Sequence, residues 1–324
     1  RVRLAEEQAE AVERLDLALS AGRGVGAWDW DIAENLVRAD ERFARLYGVD
    51  PLRARQGAPL EVFFGAIHPD DLPDVRDRIN RTLDTGEAFS AEYRLIQTDG
   101  TVHWVVAEGR CVSDADGRPQ RLPGVSFDIS DRKQVEVRQA ALLRLHDALR
   151  DLDSPGAVSA AAASVVGEAV GGTQAVYISI DPQSDFVFEE QTWTAQGAPS
   201  LASILSQQDY APVFADLQLG QAISVSNVRE DPRTRAMEPP LTAKGLAAFV
   251  AAPVLERQQL VAVLAVSAPR PRNWSPEDVA FLRDVAERTR SGVERARGAQ
   301  ALRASEARLR FLDILATDVA RLTD

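Results

Sequence analysis

The chain has little of what catalytic and metal chemistry requires. Of its 324 residues one is cysteine, Cys111, and three are histidine, His68, His103 and His146. A lone cysteine forbids an intrachain disulfide and reads as a cytosolic habit. Haem and metal sites draw on His and Cys ligands, and no two of the three histidines share a helical or strand spacing that would chelate. No metal site is expected. No apolar run reaches the ~20 residues that span a bilayer, and no signal-peptide pattern opens the chain. A cytoplasmic location without a membrane segment is therefore expected. Basic residues are in deficit: the net charge is −12 and the pI near 4.9. That balance argues against nucleic acid as a partner, because such a partner needs a basic face. No glycine-rich phosphate loop follows a strand, and no nucleophile elbow, zincin helix or CxxC pair is present. No catalytic residue is assigned.

What is present is patterned like two domains joined by helices. Residues 1–21 carry apolar positions at seven-residue spacing and read as a connector helix. Residues 22–130 hold two strand patterns, short helices and then a three-strand meander over 89–97, 102–113 and 121–129, which is α+β rather than alternating βαβ. Residues 131–153 return to helix, with Val135, Leu142 and Leu149 seven apart. Residues 154–275 form a second α+β domain, with strands expected at 174–180, 185–194, 222–225, 247–255 and 260–268. Ser275-Pro276 opens a last helix, 276–324; Asp278 stands where a full capping box has Glu or Gln, so the box is expected to be imperfect. Val285, Gly292 and Ala299, then Leu302 and Leu309, repeat by seven and suggest a coiled coil. The chain starts without Met and stops inside a helical pattern, as a piece of a longer protein would.

Six segments carry a resemblance over the first domain: Gly26-Ala27-Trp28-Asp29-Trp30-Asp31, Phe43-Ala44-Arg45-Leu46-Tyr47-Gly48, His68-Pro69-Asp70-Asp71, Glu92-Tyr93-Arg94-Leu95, Asp99-Gly100-Thr101-Val102-His103-Trp104-Val105 and Gly124-Val125-Ser126-Phe127-Asp128-Ile129-Ser130-Asp131-Arg132-Lys133. In this order and spacing they resemble a PAS domain of bacterial sensor kinases. The second domain resembles a GAF domain, through Ala248-Phe249-Val250-Ala251-Ala252-Pro253-Val254, the hairpin on to Leu260-Val261-Ala262-Val263-Leu264-Ala265-Val266, and the helix opened at Trp274-Ser275-Pro276. The resemblance implies a sensory and relay region of a two-component histidine kinase. It implies a homodimer through the helical linkers and a kinase module further along the full chain. Two other readings stay open: a dimerisation scaffold with empty cores, and the sensor region of a diguanylate cyclase or phosphatase.

The specialised forms of these families can be tested by residue. A flavin-adduct PAS needs a helix cysteine, whereas Cys111 falls in the meander. A bilin-binding GAF resembles the phytochrome pattern, with pocket histidines and an Asp-Ile-Pro turn; here the GAF region lacks His and Cys, and Asp231-Pro232-Arg233 stands instead. The cofactor is unknown, with no covalent bilin, flavin-adduct or haem pattern. A small-molecule ligand stays open, and the aromatic candidates to line its pocket are Trp28, Trp30, Phe43, Tyr47, Tyr93, Trp104 and Phe127 in the PAS half. In the GAF half they are Tyr177, Phe188, Trp193 and Phe249. Asp128, Asp131 and Arg132 are the candidate signal junction, with Asp128 expected either to pair with Arg132 or to accept backbone N–H groups at the helix start.

Overall fold

A computed structural model describes the backbone of residues 25–98, 100–180, 187–195 and 211–323, and side chains within these up to Phe311, except over 187–191. The helix expected over 1–21 lies outside the described residues. The chain divides into two compact units, Arg1–Val135 and Glu136–Asp324.

The first unit is built on an antiparallel sheet of seven strands: β1 (Val25–Asp31), β2 (Leu36–Ala39), β3 (Ala58–Pro59), β4 (Phe89–Ile96), β5 (Val102–Gly109), β6 (Val112–Ser113) and β7 (Pro119–Asp128). The order is β3-β2-β1-β7-β5-β4, with β6 pairing on β7. Four helices lie between β2 and β4: α1 (Glu41–Leu46), α2 (Pro51–Gln56), α3 (Leu60–Phe64) and α4 (Leu72–Thr85). Asp40 caps α1 by accepting from the Phe43 N–H at 2.7 Å. The segment over 51–56 is helical as α2, because Asp50 accepts from the Arg53 N–H and Pro51 takes the first turn, where its missing N–H costs nothing. Alternation places Trp28, Trp30 and Ile32 on one face of β1, where the helices cover them. Cys111 sits at the break between β5 and β6, half-buried against this core.

The second unit holds a five-stranded antiparallel sheet in the order β10-β11-β12-β8-β9. Its strands are β8 (Gln174–Ile180), β9 (Val187–Thr194), β10 (Ile223–Val225), β11 (Ala248–Glu256) and β12 (Gln259–Ala268). Both faces are covered, so β8, β11 and β12 read as continuous apolar runs. One face carries α5 (Ser130–Asp151), α6 (Pro155–Val170) and α9 (Pro276–Thr323); α7 (Ala211–Gln218) and α8 (Glu238–Ala243) belong to the other side.

The helices that had read as free linkers are largely part of this core. Ala141 and Leu145 of α5 are fully buried, and Leu142, Leu149 and Leu152 pack with them; Val135 is exposed. On α9, Phe281, Leu282, Val285, Ala286, Val293 and Ala296 are buried in the same cluster. A seven-residue spacing serves an interchain seam and an intrachain packing face alike, which is why the sequence did not separate them. Gly292 marks the closest approach: a Cβ there would lie 2.7 Å from Leu149 Cδ2 and 3.1 Å from Val158 Cγ1. The start of α9 also differs from expectation. Ser275 and Asp278 bond reciprocally, at 3.0 and 3.1 Å, so the shorter Asp completes the capping box. The other Asp278 oxygen takes Arg138 of α5 at 2.7 Å. Beyond Ala299, the side chains of residues 300–311 are all exposed.

Two cavities and a helix junction

Five of the seven aromatics expected to line a PAS pocket converge. Trp28, Trp30, Phe43, Tyr47 and Tyr93 border a small cavity of about 40 Å³ with Phe63, Ile79 and Leu122. Phe43 stacks on Tyr47 with ring centroids 4.1 Å apart. Trp28 lies flat over β7 because residue 124 is glycine: a Cβ there would stand 2.3 Å from the indole. Its Nε1–H donates to Ser126 Oγ at 3.2 Å. Ser126 also hydrogen-bonds Tyr47, whose hydroxyl shares a short bond with that of Tyr93. Burial pushes the Tyr47 hydroxyl up to about 12, against the opposing effect of its Tyr93 and Ser126 bonds. Burial raises Tyr93 further, and the neighbouring Tyr47 adds to it. Trp104 and Phe127 do not join them. Trp104 lies half-buried under Arg94 and Lys133, whose charged groups sit 5.7 and 5.1 Å from its ring. Phe127 alternates with core-facing Ser126 and is therefore on the opposite face.

In the second unit the expectation for aromatics fares differently. A cavity of about 100 Å³ lies against β8, β11 and β12, and of the three chosen residues whose side chains are described only Phe249 borders it. Tyr177 is fully buried on the helix-covered face, and Trp193 packs there too. The side chain of Phe188 lies outside the described residues. Because this sheet is covered on both faces, an aromatic residue on either face gives the same sequence signal. The cavity wall is mostly aliphatic: Val176, Ile178, Leu217, Leu241, Ala251 and Val263, with Phe214 and Phe249. Gln174 closes one end, donating to the Lys244 carbonyl at 3.0 Å and accepting from Ser267 Oγ at 3.2 Å.

The Asp128 junction forms in one of its two expected ways. Asp128 accepts the Ser130 N–H at 2.8 Å, at the first residue of α5. Its other oxygen lies 3.1 Å from His103 Nδ1, a partner the sequence did not suggest. Desolvation raises the Asp128 carboxyl, but the bonds from Ser130 and His103 outweigh it and hold the group below the ordinary carboxylate value. Arg132 does not pair with Asp128 in the structure. It donates to Glu92 of β4 at 2.5 Å, and Lys133 joins the same carboxylate at 2.7 Å. Asp131 is exposed in the first turn of α5, where a negative charge suits the helix dipole. Ser130 Oγ accepts from the Trp104 N–H at 2.9 Å, which ties the helix start to β5 as well. His68 folds back to accept from the Asp70 N–H at 3.3 Å, and His146 is exposed on α5. Among the described residues no group of His, Cys, Asp or Glu could hold a metal ion. Nor is any described helix long and apolar enough to cross a membrane.

Each unit thus has an antiparallel sheet with a small cavity against one face, and a long helix follows its last strand. Comparison with known families makes that specific. The PAS fold family matches residues 36–126 and the GAF domain family residues 132–290. The chain is a PAS domain followed by a GAF domain. The GAF match begins inside α5 and takes in the first part of α9, in line with their burial.

The curated relatives include two proteins named as sensors and one named as a diguanylate cyclase. Sensor protein FixL of Bradyrhizobium diazoefficiens is 30% identical over 115 residues, 36% of this chain and 22% of that protein. Probable diguanylate cyclase DgcE of Escherichia coli is 29% identical over 126 residues, 39% of this chain and 11% of that one. A methyl sulfide methyltransferase-associated sensor of Methanosarcina acetivorans is 24% identical over 262 residues, 78% of this chain and 26% of that one. The chain thus spans about a quarter or less of the length of these relatives.

Proposed function

We propose that this chain is the sensory and signal-relay region of a two-component histidine kinase, working as a homodimer through its helices. One observation carries this reading. The GAF sheet is a single layer with a cavity against one face and the helices α5, α6 and α9 against the other. Along β12, Val263 belongs to the cavity-side core while Ala262 and Leu264 belong to the helix-side core. Along β11, Ala251 alternates in the same way with Val250 and Ala252. A molecule filling the cavity presses on strands whose other face seats α9, and packed interfaces respond by switching between discrete arrangements. The PAS unit has its own outlet, the Asp128–Ser130 contact at the start of α5. Leu302, Leu309 and Phe311, all more than half exposed on the last helix, supply apolar surface for a second copy of the chain. A blue-light-activated histidine kinase of Brucella anthropi, 23% identical over 120 residues, supports a kinase output and DgcE a cyclase output, so the relay reading is tested against both.

The test uses the longer protein that contains this region. Autophosphorylation from ATP and conversion of GTP to a cyclic dinucleotide are measured for wild type, Ala251→Leu and Asp128→Ala. A relay to a kinase predicts a several-fold change in autophosphorylation with either substitution. A change confined to cyclase activity moves the assignment to the cyclase class. Unchanged output from folded variants leaves the scaffold reading.

A further inference from the structure

The GAF cavity has a chemistry that narrows what it holds, taking as given the reading above that it is a ligand site. Its volume is about 100 Å³. A dry apolar cavity of ~150 Å³ accepts benzene or xenon, so this one suits a molecule of about five non-hydrogen atoms. Tetrapyrroles, flavins and nucleotides are several times too large. Among the described residues no Asp, Glu, Arg or His borders it. The described polar residues that border it are Gln174, Thr234, Lys244 and Ser267. Three of these spend their side chains on one another or on the backbone. Gln174 is held by Ser267 and by the Lys244 carbonyl. Thr234 Oγ1 donates to the Val228 carbonyl at 2.9 Å. Lys244 is the one cation, half-buried at the same end as Gln174. A polar ligand would have to displace these bonds or enter without partners, and a buried polar group without a partner is costly.

We infer that the GAF cavity binds a small, uncharged, apolar molecule of about five non-hydrogen atoms and rejects polar molecules of the same shape. Selectivity follows from the lack of available partners: the polar ligand loses its water and gains nothing. The soft side chain of Met237 and the alanines at 251 and 265 let the wall fit an apolar ring without imposing a hydrogen-bond direction.

Thiophene and imidazole, five-membered rings of like size and opposite polarity, test this on the purified chain, with thiophene-2-carboxylate as the charged probe. Binding is followed by calorimetry and by the shift of the melting temperature. Thiophene is expected to bind at least about tenfold more tightly than imidazole or the carboxylate, the ratio for one uncompensated polar group. Ala251→Leu, which fills the cavity, is expected to abolish thiophene binding. Should that variant fail to fold, pressurised xenon competing with thiophene on the wild-type chain locates the site, and competition is the expected result. Tighter binding of imidazole or of the carboxylate, the latter through Lys244, overturns the apolar class while leaving a ligand site in place. Binding of none of the three overturns both. Thiophene binding that survives in folded Ala251→Leu, or that xenon does not contest, places the site elsewhere and also overturns the inference.

Discussion

Four donors and three bonds meet in the PAS core. The Trp28 N–H and the hydroxyls of Ser126, Tyr47 and Tyr93 form one chain among themselves, and whichever way the hydroxyls turn, one O–H lacks an acceptor in it. The adjoining cavity of about 40 Å³ is large enough for a water, which is the simplest acceptor. Tyr47→Phe orphans the Tyr93 hydroxyl and the Ser126 O–H, although Ser126 Oγ still accepts from the Trp28 N–H. It should cost about 1–3 kcal/mol in a urea melt. Adding Tyr93→Phe removes one of those orphans, so the double variant should recover part of the loss. Proton linkage gives a second check. Tyr47 has a folded value near 12 against 10 unfolded, so its contribution is complete below pH 10 and is lost as pH rises toward 12. Stability of the wild-type chain should fall across that window more steeply than that of Tyr47→Phe.

Asp71 shows the opposite sign at the same scale. It takes the Arg94 guanidinium at 2.6 and 2.9 Å and the Arg94 backbone N–H at 2.9 Å. Those bonds, the guanidinium first, hold its carboxyl below the ordinary value despite some desolvation. Its contribution is therefore present above the unfolded pKa near 3.8 and lost as pH falls through the folded value. Asp71→Ala should cost about 1.5–3 kcal/mol at pH 7 and progressively less as pH falls below the ordinary carboxylate value, by denaturant melts across that range. The sequence marked His68-Pro69-Asp70-Asp71 as a turn and helix start. It did not mark Arg94 as the partner, since a bond across 23 residues leaves no local pattern.

At the level of elements, most strands and helices were legible because alternation, turn residues and caps agree locally. The two-strand opening, the meander and the β11–β12 hairpin stand within a few residues of where the pattern set them. The site was less legible. Tyr47 and Tyr93 were found as aromatics, whereas Ser126, which links them to Trp28, looks like any strand serine. His103 looked like an alternating surface residue, and only the fold brings Asp128 beside it. The helices were misjudged in role more than in position, since Leu142, Leu149 and Gly292 fit both a coiled coil and a domain core. Gly292 decides between these uses by experiment. Gly292→Ala gains helix propensity but sets its Cβ 2.7 Å from the tip of Leu149 and 3.1 Å from Val158, so the two effects should roughly cancel. Gly292→Val should cost about 1–3 kcal/mol through overpacking against Leu149 and Val158 in thermal melts. A neutral Gly292→Val would show that α9 does not sit tightly on α5 and α6.

Across the whole chain, two cores have separate residue sets, and α5 starts at the Asp128–Ser130 contact and is buried at Ala141 and Leu145 in the second. The relay depends on the single-layer GAF sheet passing a change on its cavity face to the helices on the other. Hydrogen exchange of wild type against Ala251→Leu measures this directly. Protection should change in the amides of 141–152 and 281–296, on the face away from the substitution, as well as in β11 and its neighbours. A change confined to the strands beside the cavity, with both helices untouched, would contradict the relay.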